Sequence, residues 1–368
     1  MPAGGFPNTF TDFLEATRDL KVTSRETLLN EMTLNTYFIK RMVEDRSVRQ
    51  TFQGGSRLVE KIQGAENGSF AFISPNDEQS PVQTPTLKEI KVDWALAKSD
   101  YSYNDVEVGT NEGDPNRFVD LKRAYEQGCV VDTVNGMERA LWTLPHSENM
   151  EAASADPRHA YSILAYVTRD GLEPSSTNGG IATGSTAFTT IATVNPSTDT
   201  WYQNKFGSYT AATPDDPDAG LVAAMDDIVL QTMFEMPSGL KKYSEDKGLQ
   251  KQVIVTSRDG VTFFKARLRS LNDRMEQLRD PAINGPQFSG VPVTYVSELD
   301  NAGWTDNQPD YLTLNLGYFF PVFRDGWYMF ERPTDGGAKQ PLSHTVYKFS
   351  QFNLFCRSRR RQGRVFAA

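Results

Sequence analysis

DPNRFVDLKRAYEQGCVVDTVNGMERALWTL, residues 114–144, carries start and stop signals for one long helix. Asp114 is a good N-cap, and Pro115 stands at the first helical position, where its missing N–H costs nothing. Phe118, Leu121, Tyr125, Val130, Val134, Met137, Leu141 and Leu144 recur at three- to five-residue steps, close to one helix face. Pro145 ends the pattern. At 1.5 Å per residue the rod is roughly 45 Å long, about three times the usual helix. Gly128 and Gly136 each cost it about 1 kcal/mol against alanine.

Just before the rod, residues 57–104 read as a long two-stranded hairpin. Arg57–Gln63 and Ser69–Ile73 are strand-like, and Leu87–Ala97 answers them. There Ile90, Val92, Trp94 and Leu96 alternate with Glu89, Lys91, Asp93 and Ala95, a period of two. The polar SPNDEQSPVQTPT between them reads as a tip. A lone hairpin is marginal in water, and its unpaired edges and apolar stripe need cover. The cover is either this chain's own core or a neighbouring copy.

Residues 1–56 read as a loose arm. Thr23 and Glu26 form a capping box, followed by an amphipathic helix through Leu28, Leu29, Met32, Ile39, Met42 and Val43. After the rod, 146–160 is a polar passage, Tyr161–Thr168 a short strand or helix, and 171–220 is rich in loops and contains TWYQNKFGSY at 200–209. The last third reads as α/β. Leu221–Met236 is a helix, Lys251–Thr256 a buried strand, and Ser257 or Asp259 caps a helix through Val261, Phe264, Leu268, Leu271 and Met275. Gly290–Val296 is a strand. Tyr311–Phe323 and Gly326–Phe330 read as strands about a turn at Arg324-Asp325-Gly326, and Thr345–Cys356 alternates again. Then comes RSRRRQGRVFAA.

The 368 residues allow about two to three domains. A net charge of −9 argues against general nucleic-acid binding by charge. Cys129 and Cys356 exclude a disulfide scaffold and suit a reducing compartment; both sit in core-like patterns. The N-terminus shows no secretory signal, and no apolar run is long enough to span a membrane.

Chemical motifs are scarce. His146, His159 and His344 stand in no zinc spacing, and there is no GxSxG, GxGxxG or Walker loop. NGGIATGS at 178–185 reads as a flexible loop, and Asp215-Asp216 and Asp226-Asp227 as solvated surface. No catalytic, cofactor or metal residue is assigned. Arg357, Arg359, Arg360, Arg361 and Arg364 crowd the C-terminus. They read as a solvated tail or intersubunit ion pairs, or else as contacts to phosphate or a neighbour's acidic surface.

The order of these parts resembles the major capsid protein of tailed bacteriophages, the Hong Kong 97-type fold. KQVIVTSRDGVTFFKARL, FSGVPVTYVSEL and YLTLNLGYFFPVFRDGWYMFER are similar to that family's A-domain run, and TWYQNKF to a stretch before it. The resemblance implies an α+β chain with an N-terminal arm (1–56), an E-loop hairpin (57–104), a P-domain (105–215 and 340–368) whose spine helix is 114–144, and an A-domain (216–339). It implies a virion shell of hexamers and pentamers, assembled in the host bacterial cytoplasm around double-stranded DNA, with portal, separate scaffolding and decoration proteins as partners. Many members begin with a helical scaffolding extension. Here the arm starts almost at Met1, so scaffolding is separate, absent, or already removed. Lys61, Lys88 and Lys91 lie in the hairpin, but no crosslinking partner matches by motif. Lateral contact is expected at Ile90, Val92, Trp94 and Leu96. Three rivals are an encapsulin-like compartment for a protein cargo, a soluble enzyme with a site in 216–339, and a tail or decoration protein, which would lack the hairpin and the long helix together.

Overall fold

The computed structural model describes residues 50–64, 70, 72, 87–106, 115–142, 160–172, 190–210, 220–233, 252–271, 286–301, 309–335 and 342–368. The expected arm and its amphipathic helix lie outside them. In chain order the strands and helices are β1 (Gln50–Phe52), β2 (Arg57–Gln63), β3 (Leu87–Asp93), β4 (Ala95–Asn104), α1 (Pro115–Trp142), α2 (Ile163–Tyr166) and β5 (Lys205–Tyr209). There follow α3 (Leu221–Thr232), β6 (Gln252–Thr256), α4 (Arg258–Leu271), β7 (Gln287–Phe288), β8 (Val291–Tyr295) and β9 (Tyr311–Asn315). The chain closes with β10 (Phe319–Arg324), β11 (Phe330–Asp335), β12 (Ser343–Cys356) and β13 (Gly363–Ala367). The chain divides into two compact units, with boundaries inside α1 after Asn135 and inside β12 after Phe349.

The smaller unit holds Lys98–Asn135 and Phe330–Phe349. β11 runs antiparallel to the first half of β12, from Phe330↔Phe349 to Asp335↔His344, and β4 also pairs β12. Ser99 on β4 meets the helix at Thr133 and at Cys129 Sγ, 3.3 Å away. Lys348 on β12 is buried, and its Nζ reaches Glu331 Oε1 at 2.8 Å and Glu126 Oε1 at 3.3 Å. Burial alone would lower its pKa; bonds to the two carboxylates outweigh that and raise it.

The larger unit is built on a six-stranded mixed sheet in the order β5-β13-β9-β6-β8-β7. β6 and β9 are central and wholly buried, which is why QVIVT and YLTLN read as apolar runs. Ser257 Oγ accepts from Gly260 N–H at 3.2 Å and starts α4 directly after β6; β8 then returns parallel to β6. Met225, Ile228 and Val229 of α3 pack with Phe264 of α4 on Ile254, Val293, Tyr311 and Val365. The close approach of α3 requires Gly363, where a Cβ would strike Ile228 Cγ2. A second sheet pairs β1 parallel to β10 and β10 antiparallel to the end of β12.

Three sequence readings change. Tyr311–Phe323 is two strands in two different sheets, because Asn315 Oδ1 accepts from Gly317 N–H at 3.0 Å and turns the chain. Gly326–Phe330 is mostly the exit of the turn, and β11 starts only at Phe330. GRVFA, in the stretch that reads as a tail, is β13, which lies between β5 and β9 inside the sheet. That sheet therefore takes strands from both sides of the boundaries expected at 216 and 339.

Candidate assembly surface

The hairpin ladder runs from Arg57↔Asp93 to Gln63↔Leu87. Leu58, Ile90 and Val92 form its buried face. Its other face carries charge pairs, Arg57–Asp93 at 2.7 Å and Lys91–Glu89 at 3.1 Å. Hydrogen bonding and charge from Lys91 hold the Glu89 carboxyl below its ordinary range. Two strands alone would be marginal, and the rest of the unit roots them. A two-residue turn, closed by reciprocal Ile191–Val194 bonds of 2.8 and 3.0 Å, presses on the β3 edge. Lys91 N–H donates to Ala192 O at 3.1 Å and Thr193 Oγ1 to Glu89 O at 3.3 Å. Ala192 (φ 51°) and Thr193 (φ 68°) are both left-handed, at roughly 1–2 kcal/mol each. Arg357 Nε donates to Glu60 Oε2 at 2.8 Å, and Lys88 Nζ lies 3.5 Å from Asp199. At the end of β2, Gly64 lies so close to the Trp201 indole that no other residue fits without a shift.

The expected apolar stripe does not survive as one face. Ile90 and Val92 are fully buried by their own chain. At Trp94 the ladder ends, the indole N–H donates to Gly55 O at 3.0 Å, and the chain passes into β4, which pairs β12 and not β2. The alternation slips by one there: Ala95 is buried, and Leu96 is left 51% exposed. Of the four residues expected to meet a neighbour, only Trp94 and Leu96 keep surface for it.

Sequence reading missed the two most exposed aromatic residues among the described part of the hairpin. Phe70 and Phe72 are 85% and 94% exposed, their rings edge to face with centroids 5.3 Å apart. Two phenylalanines alternating amid Gly, Ser and Asn were the available signal.

The five C-terminal arginines do not form one basic surface. Arg359 is fully buried: Nε donates to Tyr166 O at 2.7 Å, Nη1 to Tyr202 O at 3.1 Å, and Nη2 to Leu172 O and Asn204 Oδ1 at 3.0 Å. Arg364 is equally buried, donating from Nε to Asp310 Oδ2 at 2.7 Å and from Nη1 to Val167 O at 3.1 Å. Its Nη2, 2.6 Å from the same oxygen, makes an ion-pair contact without hydrogen-bond alignment. Arg169 binds that carboxylate from the other side at 3.0 and 3.1 Å. Burial lowers the pKa of both Arg359 and Arg364. Arg361 is buried over the Tyr318 ring at 4.4 Å, and Arg357 serves the hairpin. Only Arg360 is exposed. It lines an open groove of about 500 Å³ with Trp201, Lys205, Phe206 and Gln231.

No His, Cys, Asp or Glu cluster suited to a metal occurs among the described residues, and none of their helices is long and apolar enough to cross a membrane. Neither a family model nor a curated protein matches this chain. Solved structures do. A chain of the cyanophage A-1(L) capsid asymmetric unit superposes with a TM-score of 0.60 at 13% identity, over 90% of this chain and 92% of that one. The fold is that of a phage capsid chain. The capsid of Myoviridae phage XM1 aligns over 95% of this chain and 98% of its own at 11% identity, with a lower TM-score of 0.49.

Proposed function

We propose that this chain is a major capsid protein of the Hong Kong 97 type, a structural subunit and not an enzyme. Copies would join as hexamers and pentamers into an icosahedral shell around double-stranded DNA, in a virion assembled in the bacterial cytoplasm. The carrying observation is the superposition on a cyanophage capsid chain over nine-tenths of the sequence. In this reading β2 and β3 are the E-loop, α1 is the spine of the P-domain, and the α3–α4 face of the mixed sheet belongs to the A-domain. Trp94 and Leu96 are the lateral contacts that remain of the four expected. A shell repeats each contact many times, so weak contacts suffice. The net charge of −9, with Arg359, Arg361 and Arg364 held inside, gives a wall that does not bind its genome tightly. Portal, scaffolding and decoration proteins are the further partners of this reading. The likeness to a phage capsid favours a genome container over a cargo compartment.

Sedimentation velocity of the purified chain tests the proposal. Species far heavier than the 41.2 kDa subunit are expected. A chain that stays monomeric across protein and salt concentrations refutes it.

A further inference from the structure

We infer that β5 pairs antiparallel with the β5 of a second copy across a two-fold axis at Gly207, joining two six-stranded sheets into one. This contact goes beyond the shell reading and stands on the sheet edge alone.

Hydrogen bonds on one side of β5 decide what it offers on the other. It runs parallel to β13, with Lys205 opposite Gly363 and Tyr209 opposite Ala367. Lys205 N–H donates to Gln362 O at 2.9 Å, and Tyr209 O accepts from Ala368 N–H at 3.0 Å. In a parallel ladder every second residue bonds a given neighbour, so Lys205, Gly207 and Tyr209 face β13. The N–H and C=O of Phe206 and Ser208 therefore point to the opposite edge. There β5 is the last strand of its sheet among the described residues. Both side chains are exposed, Phe206 by 48%.

Proteins protect such edges with short strands, charge, proline or a covering loop. Other edges of this chain are protected in these ways. β7 has two residues, β11 carries Pro333 beside Glu331 and Arg332, and the Ile191–Val194 turn covers β3. The middle of β5, Phe206-Gly207-Ser208, has neither charge nor proline.

The strand also complements itself. A two-fold axis at Gly207 sets Phe206 against the second copy's Ser208, and Ser208 against its Phe206. These are the residues whose backbone groups point outward, so each pair exchanges two hydrogen bonds. The larger ring meets the smaller side chain, and Gly207 meets Gly207 at the closer, non-bonded position. Lys205 falls opposite Tyr209, so all five residues of the strand pair without overhang. The helices fit as well. Ile228 of α3 is the first atom group a Cβ would meet at both Gly207 and Gly363, so α3 runs above the space between β5 and β13. With strands about 4.8 Å apart, the two α3 axes come about 10 Å apart, an ordinary helix-packing distance.

The test co-expresses two full-length chains, one with Phe206→Cys and one with Ser208→Cys, and oxidises the purified mixture mildly. Directly opposed residues of a hydrogen-bonded antiparallel pair have Cα atoms about 5.5 Å apart, within disulfide range. Position 206 to position 206 is a diagonal of about 8–9 Å, beyond that range. A disulfide between the two variants is therefore expected, and neither variant alone should crosslink. Cys129 and Cys356 are buried, and mass spectrometry of the linked peptides separates any bridge through them. Absence of the mixed disulfide from folded chains overturns the inference, as does equal crosslinking of either variant alone. Should a variant fail to fold, hydrogen exchange of the unmodified chain decides. The Phe206 and Ser208 amides should be protected at high protein concentration and exchange about tenfold or more faster on dilution; exchange independent of concentration overturns the pairing. Particles that form without the disulfide leave the shell reading standing. A linked pair without particles upholds the pairing and refutes the shell reading.

Discussion

Replacing Arg359 by methionine should separate an internal arginine from its surface neighbour. Methionine keeps the length of the stem and removes the guanidinium. Four acceptors then lose a donor. Asn204 Oδ1 still accepts from Thr168 N–H at 3.2 Å, and Leu172 O from Thr168 Oγ1 at 3.0 Å. Tyr166 O and Tyr202 O lose the bonds of 2.7 and 3.1 Å. A buried acceptor deprived of its donor costs about 1–3 kcal/mol. Two give about 2–6 kcal/mol, less what is recovered by no longer burying a charge that has no hydrogen-bonded carboxylate. A net loss of about 2–4 kcal/mol follows. Arg360→Met, one residue on, changes an exposed side chain and should stay within about 0.5 kcal/mol. The assay is urea unfolding of unassembled subunits, read as a lower midpoint at unchanged slope. Equal effects of the two substitutions, or a larger one for Arg360→Met, would refute the buried-knot reasoning.

Gly363→Ala should destabilise the subunit by about 1–3 kcal/mol, seen in the same unfolding assay, because its Cβ meets Ile228. Trp94→Ala should impair particle formation while the subunit's circular dichroism stays near wild type; normal particles would count against a lateral role. Alkaline pH should unfold the subunit cooperatively. Burial raises the pKa of Tyr209 and Tyr311, burial and the Asp300 bond lift Tyr295 to about 12, and burial lifts the Cys356 thiol to about 12. Each folded pKa lies above its unfolded value. The stability these groups contribute is therefore complete below about pH 9 and is lost as pH rises through the folded values. Ultraviolet absorbance should show Tyr209 and Tyr311 ionising only together with unfolding; independent titration near pH 10 would contradict their burial.

Local signals made much of this fold legible. Pro115 opens α1, the alternation in β3 and β12 is genuine, and the buried strands β6 and β8 read as short apolar runs between turn residues. The losses are all non-local. Whether Arg359 faces solvent depends on carbonyls at 166, 172 and 202, more than 150 residues away, so five clustered arginines look like a tail. β9 and β10 look like one strand because both are apolar and only Asn315 and Gly317 mark the turn. The phase slip at Trp94 is set by Gly55 and by the switch of partner from β2 to β12, neither of which leaves a mark in residues 87–97. The Ile191–Val194 turn lacks the Asn-Gly signal because two ordinary residues take its left-handed positions. Of the candidate contact surface, the hairpin was readable from its period. Its buried face and its exposed phenylalanines were not distinguishable without the fold.

Electron microscopy of particles purified from cells expressing only this chain is the most direct measurement. Closed icosahedral shells of uniform size are expected, with averaged density resolving sixfold and fivefold rings and a hairpin crossing from each subunit onto the next. Dispersed monomers, or aggregates without closed symmetry, would contradict the proposal that this chain builds a capsid.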